Sequence, residues 1–61
     1  MQIIRYYDYD LNELVRVTGI SPIVPRVGEK VIIVNINFKV KDVVHVYDGK
    51  LWNVCIYMER L

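Results

Sequence analysis

The sequence predicts an all-β fold: a small five-stranded antiparallel meander that closes into an SH3-like or partly open barrel. Three observations predict it. Short runs of β-branched and aromatic residues recur along the chain, and Asp48-Gly49 separates the last two of them. In the run before Asp48, the alternation of apolar and polar residues is interrupted at Lys41-Asp42. With 61 residues, the chain is expected to form a single domain, 1–61, with a small core. An open sheet that dimerises edge to edge is the alternative.

The first two strands are predicted over residues 2–10 and 14–18, joined by a turn at 10–13. Asp and Asn favour this turn because their side chains accept hydrogen bonds from nearby backbone N–H groups. A helix over residues 11–17 is the alternative, since apolar residues recur there at helical spacing, but the β-branched residues of that segment favour a strand. Alternation gives the first strand two faces, with Ile4, Tyr6 and Asp8 on one and Ile3, Arg5, Tyr7 and Tyr9 on the other.

Residues 18–28 are predicted to form a loop, because Pro22 and Pro25 remove two backbone donors and extend the residues before them. The segment 30–36 follows and is apolar on both faces, which predicts a strand buried on both sides. A short connection at residues 35–37 then leads into the last hairpin.

The last hairpin spans residues 38–61, with Asp48-Gly49 as a two-residue type I′ turn. That turn would pair Tyr47 with Lys50 and His45 with Trp52. The final strand then has a core face and a second, partly apolar face. The core face comprises Trp52, Val54, Ile56 and Met58, and the second face comprises Asn53, Cys55, Tyr57 and Glu59.

A β-bulge is predicted at Lys41-Asp42. Without it, Phe38 and Val40 are out of phase with Val43, and one extra residue returns them to the core side. Bulges bend a sheet and help it to close, so this phase break favours a barrel over a flat sheet.

A resemblance to known proteins lies in the segments 25–31, 38–45 and 47–48, in the final strand that ends at residues 54–59, and in the opening 6–10. In these segments the chain resembles small uncharacterised SH3-like β-barrel proteins encoded by bacteriophages and prophages of Gram-positive bacteria. The sequence departs from the pattern at residues 34–37, where a Gly-containing turn such as Asn-Gly is expected. The resemblance implies the fold and a viral origin, and it assigns no activity to any residue.

Composition limits the function. The net charge is +1, whereas a dedicated nucleic-acid binder is more often strongly basic. The single cysteine fits a reducing cytoplasm, the N-terminus lacks the pattern of a signal peptide, and no uncharged run is long enough to cross a membrane. There is no Ser/His/Asp set, phosphate loop or metal-ligand spacing, so no enzyme activity, cofactor or metal is expected.

A binding function is therefore predicted, since a hydrophobic fraction of 54% is high for so small a domain and predicts a protein partner or a homo-oligomer such as a dimer. The main hypothesis is a protein-interaction module that binds or inhibits a host or viral protein. The alternatives are a single-stranded nucleic-acid binder, with bases stacked on tyrosines, and a structural or assembly subunit of a virion. His45 and Cys55 are assigned to packing. The predicted partner-binding residues are Arg5, Tyr6, Tyr7, Tyr9, Tyr57 and Lys39.

Overall fold

The computed structural model describes residues 2–20 and 23–61, which form one five-stranded β-sheet. No helix occurs among these residues, so the predicted all-β class with five strands is confirmed. The prediction for Pro22 lies outside the described residues. The strands are β1 (Gln2–Tyr7), β2 (Glu13–Gly19), β3 (Lys30–Ile33), β4 (Ile36–Tyr47) and β5 (Trp52–Arg60).

The sheet is curled into a half-barrel with the strand order β2-β1-β5-β4-β3. This agrees with a small, partly open barrel. Two details of the prediction need correction. β1 and β5 are parallel, whereas every other pair is antiparallel. A simple meander would also pair β2 with β3, but these strands lie at opposite edges of the sheet.

The core lies on the inner face of the curled sheet and draws on three strands. Ile4 of β1 lies beside Val54 and Ile56 of β5 and is completely buried. Half-buried side chains from β3 and from the loop after β2 pack against this cluster. The fully assembled core consists of Ile4, Phe38, Val40, Val54, Ile56 and Met58. Burial therefore joins the two hairpins of the chain through the parallel β1–β5 pair.

The β4–β5 register differs from the predicted one by two residues. Tyr47 pairs with Trp52 and His45 with Val54, so the connection is a four-residue loop, 48–51. The Asp48 carboxylate causes the longer loop, because its Oδ1 accepts hydrogen bonds from the backbone N–H groups of Lys50 and Leu51, each at 2.9 Å. Since side chains alternate with period two, this shift leaves the predicted faces unchanged.

Trp52 was predicted to be a core residue, and this prediction is wrong, because its side chain is about half exposed. It lies next to the connecting loop at the tip of the hairpin and packs against Tyr47, with ring centroids 4.9 Å apart and ring planes tilted by 39°. The other predicted core residues of β5, namely Val54, Ile56 and Met58, are buried.

The predicted β-bulge is confirmed. The ladder runs from Val40↔Met58 to Asp42↔Tyr57, so Lys41 is the extra residue. Phe38 and Val40 consequently reach the core, while Val43 packs against it from beyond the bulge.

β3 is an edge strand, which corrects the prediction of a strand buried on both sides. Val31 and Ile33 pack against the core, but Ile32 points away from it and is largely exposed. Ile33 pairs with Ile36, and the two residues between them, Val34 and Asn35, have φ values of 48° and 65°. This is the pattern of a type I′ turn, and it replaces the predicted connection at residues 35–37.

The N-terminal hairpin forms as predicted, although β1 ends at Tyr7 and the turn begins earlier, at Asp8. The Asp8 Oδ1 accepts hydrogen bonds from the backbone N–H groups of Asp10 and Asn12. β2 is extended, so the helical alternative for residues 11–17 is wrong. β2 reaches an outer edge of the sheet, and most of its side chains are exposed.

Candidate functional site

The candidate site is the face of the sheet opposite the core, here called the outer face. Its side chains form three rows that cross β2, β1, β5 and β4 in that order, because residues in register share a face. The rows are Thr18, Ile3, Asn53 and Val46; Arg16, Arg5, Cys55 and Val44; and Glu13, Tyr7, Tyr57 and Asp42.

No described part of the chain forms a second layer over the outer face. The N-terminal hairpin extends the sheet sideways through β1–β5 instead of folding across it. Ile3 and Cys55 are therefore only half-buried, while Val44 and Val46 are exposed. Apolar side chains thus meet solvent at the centre of the sheet.

Tyr7 and Tyr57 form the aromatic centre of this face. They are register partners on β1 and β5, and their rings stack with centroids 5.3 Å apart and planes 18° from parallel. Loss of solvent around the ring raises the pKa of Tyr57 above its ordinary value. The pair offers a flat aromatic surface with two hydroxyl groups.

A cluster of three charges lies beside the tyrosines, on β1 and β2. The Arg16 guanidinium donates hydrogen bonds to both oxygens of Glu13, at 3.3 Å from Nε and 3.0 Å from Nη2. These bonds raise the pKa of Arg16. Arg5 approaches the same carboxylate only to 3.9 Å. The cluster carries two positive charges and one negative charge.

The structure brings together three of the six residues predicted to bind a partner: Arg5, Tyr7 and Tyr57. Lys39 also lies on the outer side, but at its rim, where it pairs with Glu59 one step beyond Tyr57. Tyr6 lies on the opposite face, packed against the core, where burial raises the pKa of its phenol. Tyr9 is in the β1–β2 turn and is largely exposed.

The predicted set of partner-binding residues omits four side chains that complete the outer face, namely Ile3, Arg16, Val44 and Val46. Alternation assigns each of them a face within its own strand. It does not identify neighbouring strands, and the β1–β5 pair joins the two ends of the chain without any turn between them. The signal available in the sequence was the partly apolar second face of the last hairpin, which includes Cys55 and Tyr57.

The inner face carries a separate shallow cleft of about 390 Å³ near the hairpin tip. His45 lines it and is exposed, which corrects the assignment of this histidine to packing. The remaining lining residues are Val24, Pro25, Arg26, Val27 and Val43. The cleft is lined by aliphatic side chains, one guanidinium and one imidazole.

Among the residues that the structure describes, no group of three or more His, Cys, Asp or Glu side chains could hold a metal ion. Residues 2–20 and 23–61 also include no helix with the length and hydropathy of a membrane span.

Comparisons of the chain with protein-family models, with curated proteins and with solved structures found no match.

Proposed function

We propose that this chain is a non-catalytic protein-interaction module that binds a partner protein through the outer face. The observation that carries the proposal is the stacked Tyr7–Tyr57 pair, which lies on an uncovered sheet face with Cys55 and Val44 in the neighbouring row. Tyrosine and arginine are the residues that most often dominate binding energy at protein interfaces, and Arg5 adjoins the pair.

The balance of buried and exposed apolar residues supports a partner. Six side chains make up the buried core, whereas fifteen large apolar side chains of the described residues are exposed. Single exposed apolar residues are ordinary, but a contiguous group on one face is typical of an interaction surface. Two of the fifteen, Val44 and Val46, are neighbours on the outer face, next to the half-buried Cys55 and Tyr57.

The resemblance to phage-encoded barrels gives the proposal its setting. The chain would act in the cytoplasm of a bacterial host, where it would bind a host or viral protein. A second copy of the chain is the other occupant that an apolar sheet face can accept, and light scattering of the purified chain distinguishes the two by mass.

Site-specific photocrosslinking tests the proposal. A benzophenone amino acid replaces Tyr57 on the outer face or, in a matched control, the exposed Tyr47 at the hairpin tip. After irradiation in bacterial extract, we expect one discrete protein adduct from position 57 and none from position 47. The adduct should be lost when Tyr7→Ser accompanies the crosslinker at 57.

Two results would overturn the proposal. One is the absence of any discrete adduct at position 57 over a range of salt concentrations. The other is a set of identical adducts from positions 57 and 47. An adduct that disappears after nuclease treatment would favour the nucleic-acid alternative, in which bases stack on the tyrosines.

A further inference from the structure

We propose that the partner carries a carboxylate and that this carboxylate binds the guanidinium of Arg5. The inference rests on the proposed function, because it names the chemistry that the outer face recognises. It follows from how unevenly Glu13 is shared between its two arginine neighbours.

Glu13 satisfies Arg16 and leaves Arg5 without a hydrogen bond. Both carboxylate oxygens accept from Arg16, at 3.0 and 3.3 Å, whereas Arg5 Nε lies 3.9 Å from the nearer oxygen. Arg5 Nε is also buried and, among the described residues, has no hydrogen-bond partner. A buried donor without an acceptor costs free energy, and the cost is larger when the donor is charged.

The surroundings of Arg5 favour an anionic ligand from outside the chain. Ile3 and Tyr7 flank Arg5 along β1, and Cys55 lies opposite on β5, so water reaches the guanidinium from only part of its surroundings. The Arg5 side chain is 34% exposed although its Nε is buried, so an outside ligand would meet the guanidinium at the edge that carries the Nη atoms. A planar guanidinium binds a carboxylate through two parallel hydrogen bonds, and such charge-assisted bonds are about twice as strong as neutral ones.

The remaining charges of the face indicate a protein segment as the carrier of this carboxylate. Glu13 and Asp42 stand at the two ends of the tyrosine row, where they would repel a run of phosphates. A short acidic segment can place one carboxylate on Arg5 and keep its apolar side chains over Cys55 and Val44. Because the carboxylates of Glu13 and Asp42 repel dense negative charge, the face favours an apolar protein segment with a single carboxylate over a nucleic acid.

The size of the face agrees with a short segment. Four strands at about 4.8 Å spacing and three rows of side chains cover about 400 Å², roughly half of the 800 Å² that each partner contributes to a standard interface. A single strand or a peptide of a few residues would cover such a face.

A titration with small probes tests the proposal on the whole chain. Phenylacetate supplies a carboxylate next to an aromatic ring, and phenylacetamide is its neutral counterpart. We expect phenylacetate to bind weakly and to shift the NMR signals of the Arg5 Nε–H group and of the amides of Tyr7 and Cys55. Phenylacetamide at equal concentration should leave the Arg5 Nε–H signal unchanged.

Matched variants identify the binding group. Arg5→Gln should weaken phenylacetate binding by at least about tenfold, as expected for the loss of a charge-assisted hydrogen bond. Arg26→Gln, which removes an exposed guanidinium elsewhere in the chain, should leave binding unchanged. Glu13→Gln should tighten it about threefold or more, because the internal carboxylate then no longer competes. If Arg5→Gln fails to fold, Arg5→Lys replaces it and should also weaken binding.

The proposal is wrong if phenylacetate shifts nothing on the outer face, if phenylacetamide produces the same shifts, or if Arg26→Gln abolishes binding. It is also wrong if a single-stranded oligothymidine binds the same residues with a steep dependence on salt. A protein adduct at position 57 without probe binding at Arg5 would leave the proposed function intact and remove only the anionic partner.

Discussion

At the scale of single residues, Val34 has a strained backbone conformation. Its φ of 48° lies in the left-handed region, where a β-branched side chain is strained. The side chain is almost fully exposed, so no packing compensates for the strain. The sequence predicts the connection one residue too late, at 35–37, because Val34-Asn35 is not a combination that type I′ turns favour.

Replacing Val34 by Asn should stabilise the protein. Asn adopts a positive φ more readily than Val, and residues in sparsely populated backbone regions cost about 1–3 kcal/mol, so we expect Val34→Asn to raise the free energy of unfolding by about 1 kcal/mol. Urea denaturation measures the change. Ile32→Asn, at an exposed β3 position without a positive φ, is the control and should not stabilise. A lower stability of Val34→Asn would contradict the turn assignment.

Gly49 was correctly expected to need a positive φ, which is 95°. A Cβ at this position would meet no other atom within 4 Å, so any penalty for a larger residue comes from the backbone alone. We expect Gly49→Val to lower the free energy of unfolding by about 1–3 kcal/mol and Gly49→Asn to lower it less. Thermal unfolding of both variants checks this order, and equal melting temperatures for Gly49→Val and the wild type would be inconsistent with it.

Asp48 should make the stability of the hairpin depend on pH. Hydrogen bonds from the backbone N–H groups of Leu51 and Lys50 lower its pKa below the ordinary 3.8. The folded chain therefore binds fewer protons than the unfolded chain in this range, and stability is lost as the pH falls through the folded pKa. The contribution is fully present above about pH 5.

The Asp48→Asn variant isolates this effect, because the amide oxygen can still accept both backbone hydrogen bonds but does not titrate. The difference in unfolding free energy between wild type and Asp48→Asn should be constant from pH 7 to 5. Below about pH 4, the wild type should lose unfolding free energy relative to Asp48→Asn. A difference that stays flat down to pH 2.5 would exclude Asp48 as a titrating group of the fold.

At the scale of the elements, the β-bulge could be predicted because Phe38, Val40 and Val43 must all reach one core. The β4–β5 register could not, since the side chain of Asp48 decides the loop length. The parallel pairing of β1 with β5 could not be predicted either. Alternation shows which face of a strand a residue occupies, but it does not identify the neighbouring strand.

Two deletions test the bulge. Removing the bulged residue Lys41 should leave the pairs on both sides in register, since Val40 and Asp42 then alternate as in a regular strand. Its ion pair with Glu59 is half exposed, so its loss costs little. Removing Lys39 should instead turn Phe38 away from the core and unfold the protein. Amide NMR spectra distinguish the two outcomes, and a folded Lys39 deletion beside an unfolded Lys41 deletion would refute the bulge.

The two faces of β1 should respond differently to truncation. Ile4 is completely buried, so Ile4→Ala should cost about 2–5 kcal/mol and could unfold so small a domain. Ile3 lies on the outer face, and Ile3→Ala should cost less than about 1 kcal/mol. Chemical denaturation measures both. A large loss for Ile3→Ala would mean that the outer face is buried in the purified protein.

At the scale of the whole molecule, the open barrel buries the centre of its inner face, and no described part of the chain covers its outer face. The sequence indicated the apolar second face of the last hairpin but left open what covers it. The N-terminal hairpin does not cover that face, because it lies beside β5 in the sheet and not across it. Arg5, Tyr7 and Tyr57 were predicted as binding residues, but the sequence does not show that they are neighbours. Tyr6 was predicted with them because it is also a tyrosine of β1, yet it lies on the core side of the sheet.

The most direct test of the account is the affinity of the protein captured through position 57 for three forms of the chain. Wild type, Tyr57→Ser and Tyr47→Ser should fold alike. Tyr57→Ser should bind about thirtyfold more weakly or worse, as for the loss of an interface residue worth about 2 kcal/mol, and Tyr47→Ser should stay within about threefold of wild type. Equal affinities of wild type and Tyr57→Ser, or equal losses in both variants, would contradict the outer face as the binding surface.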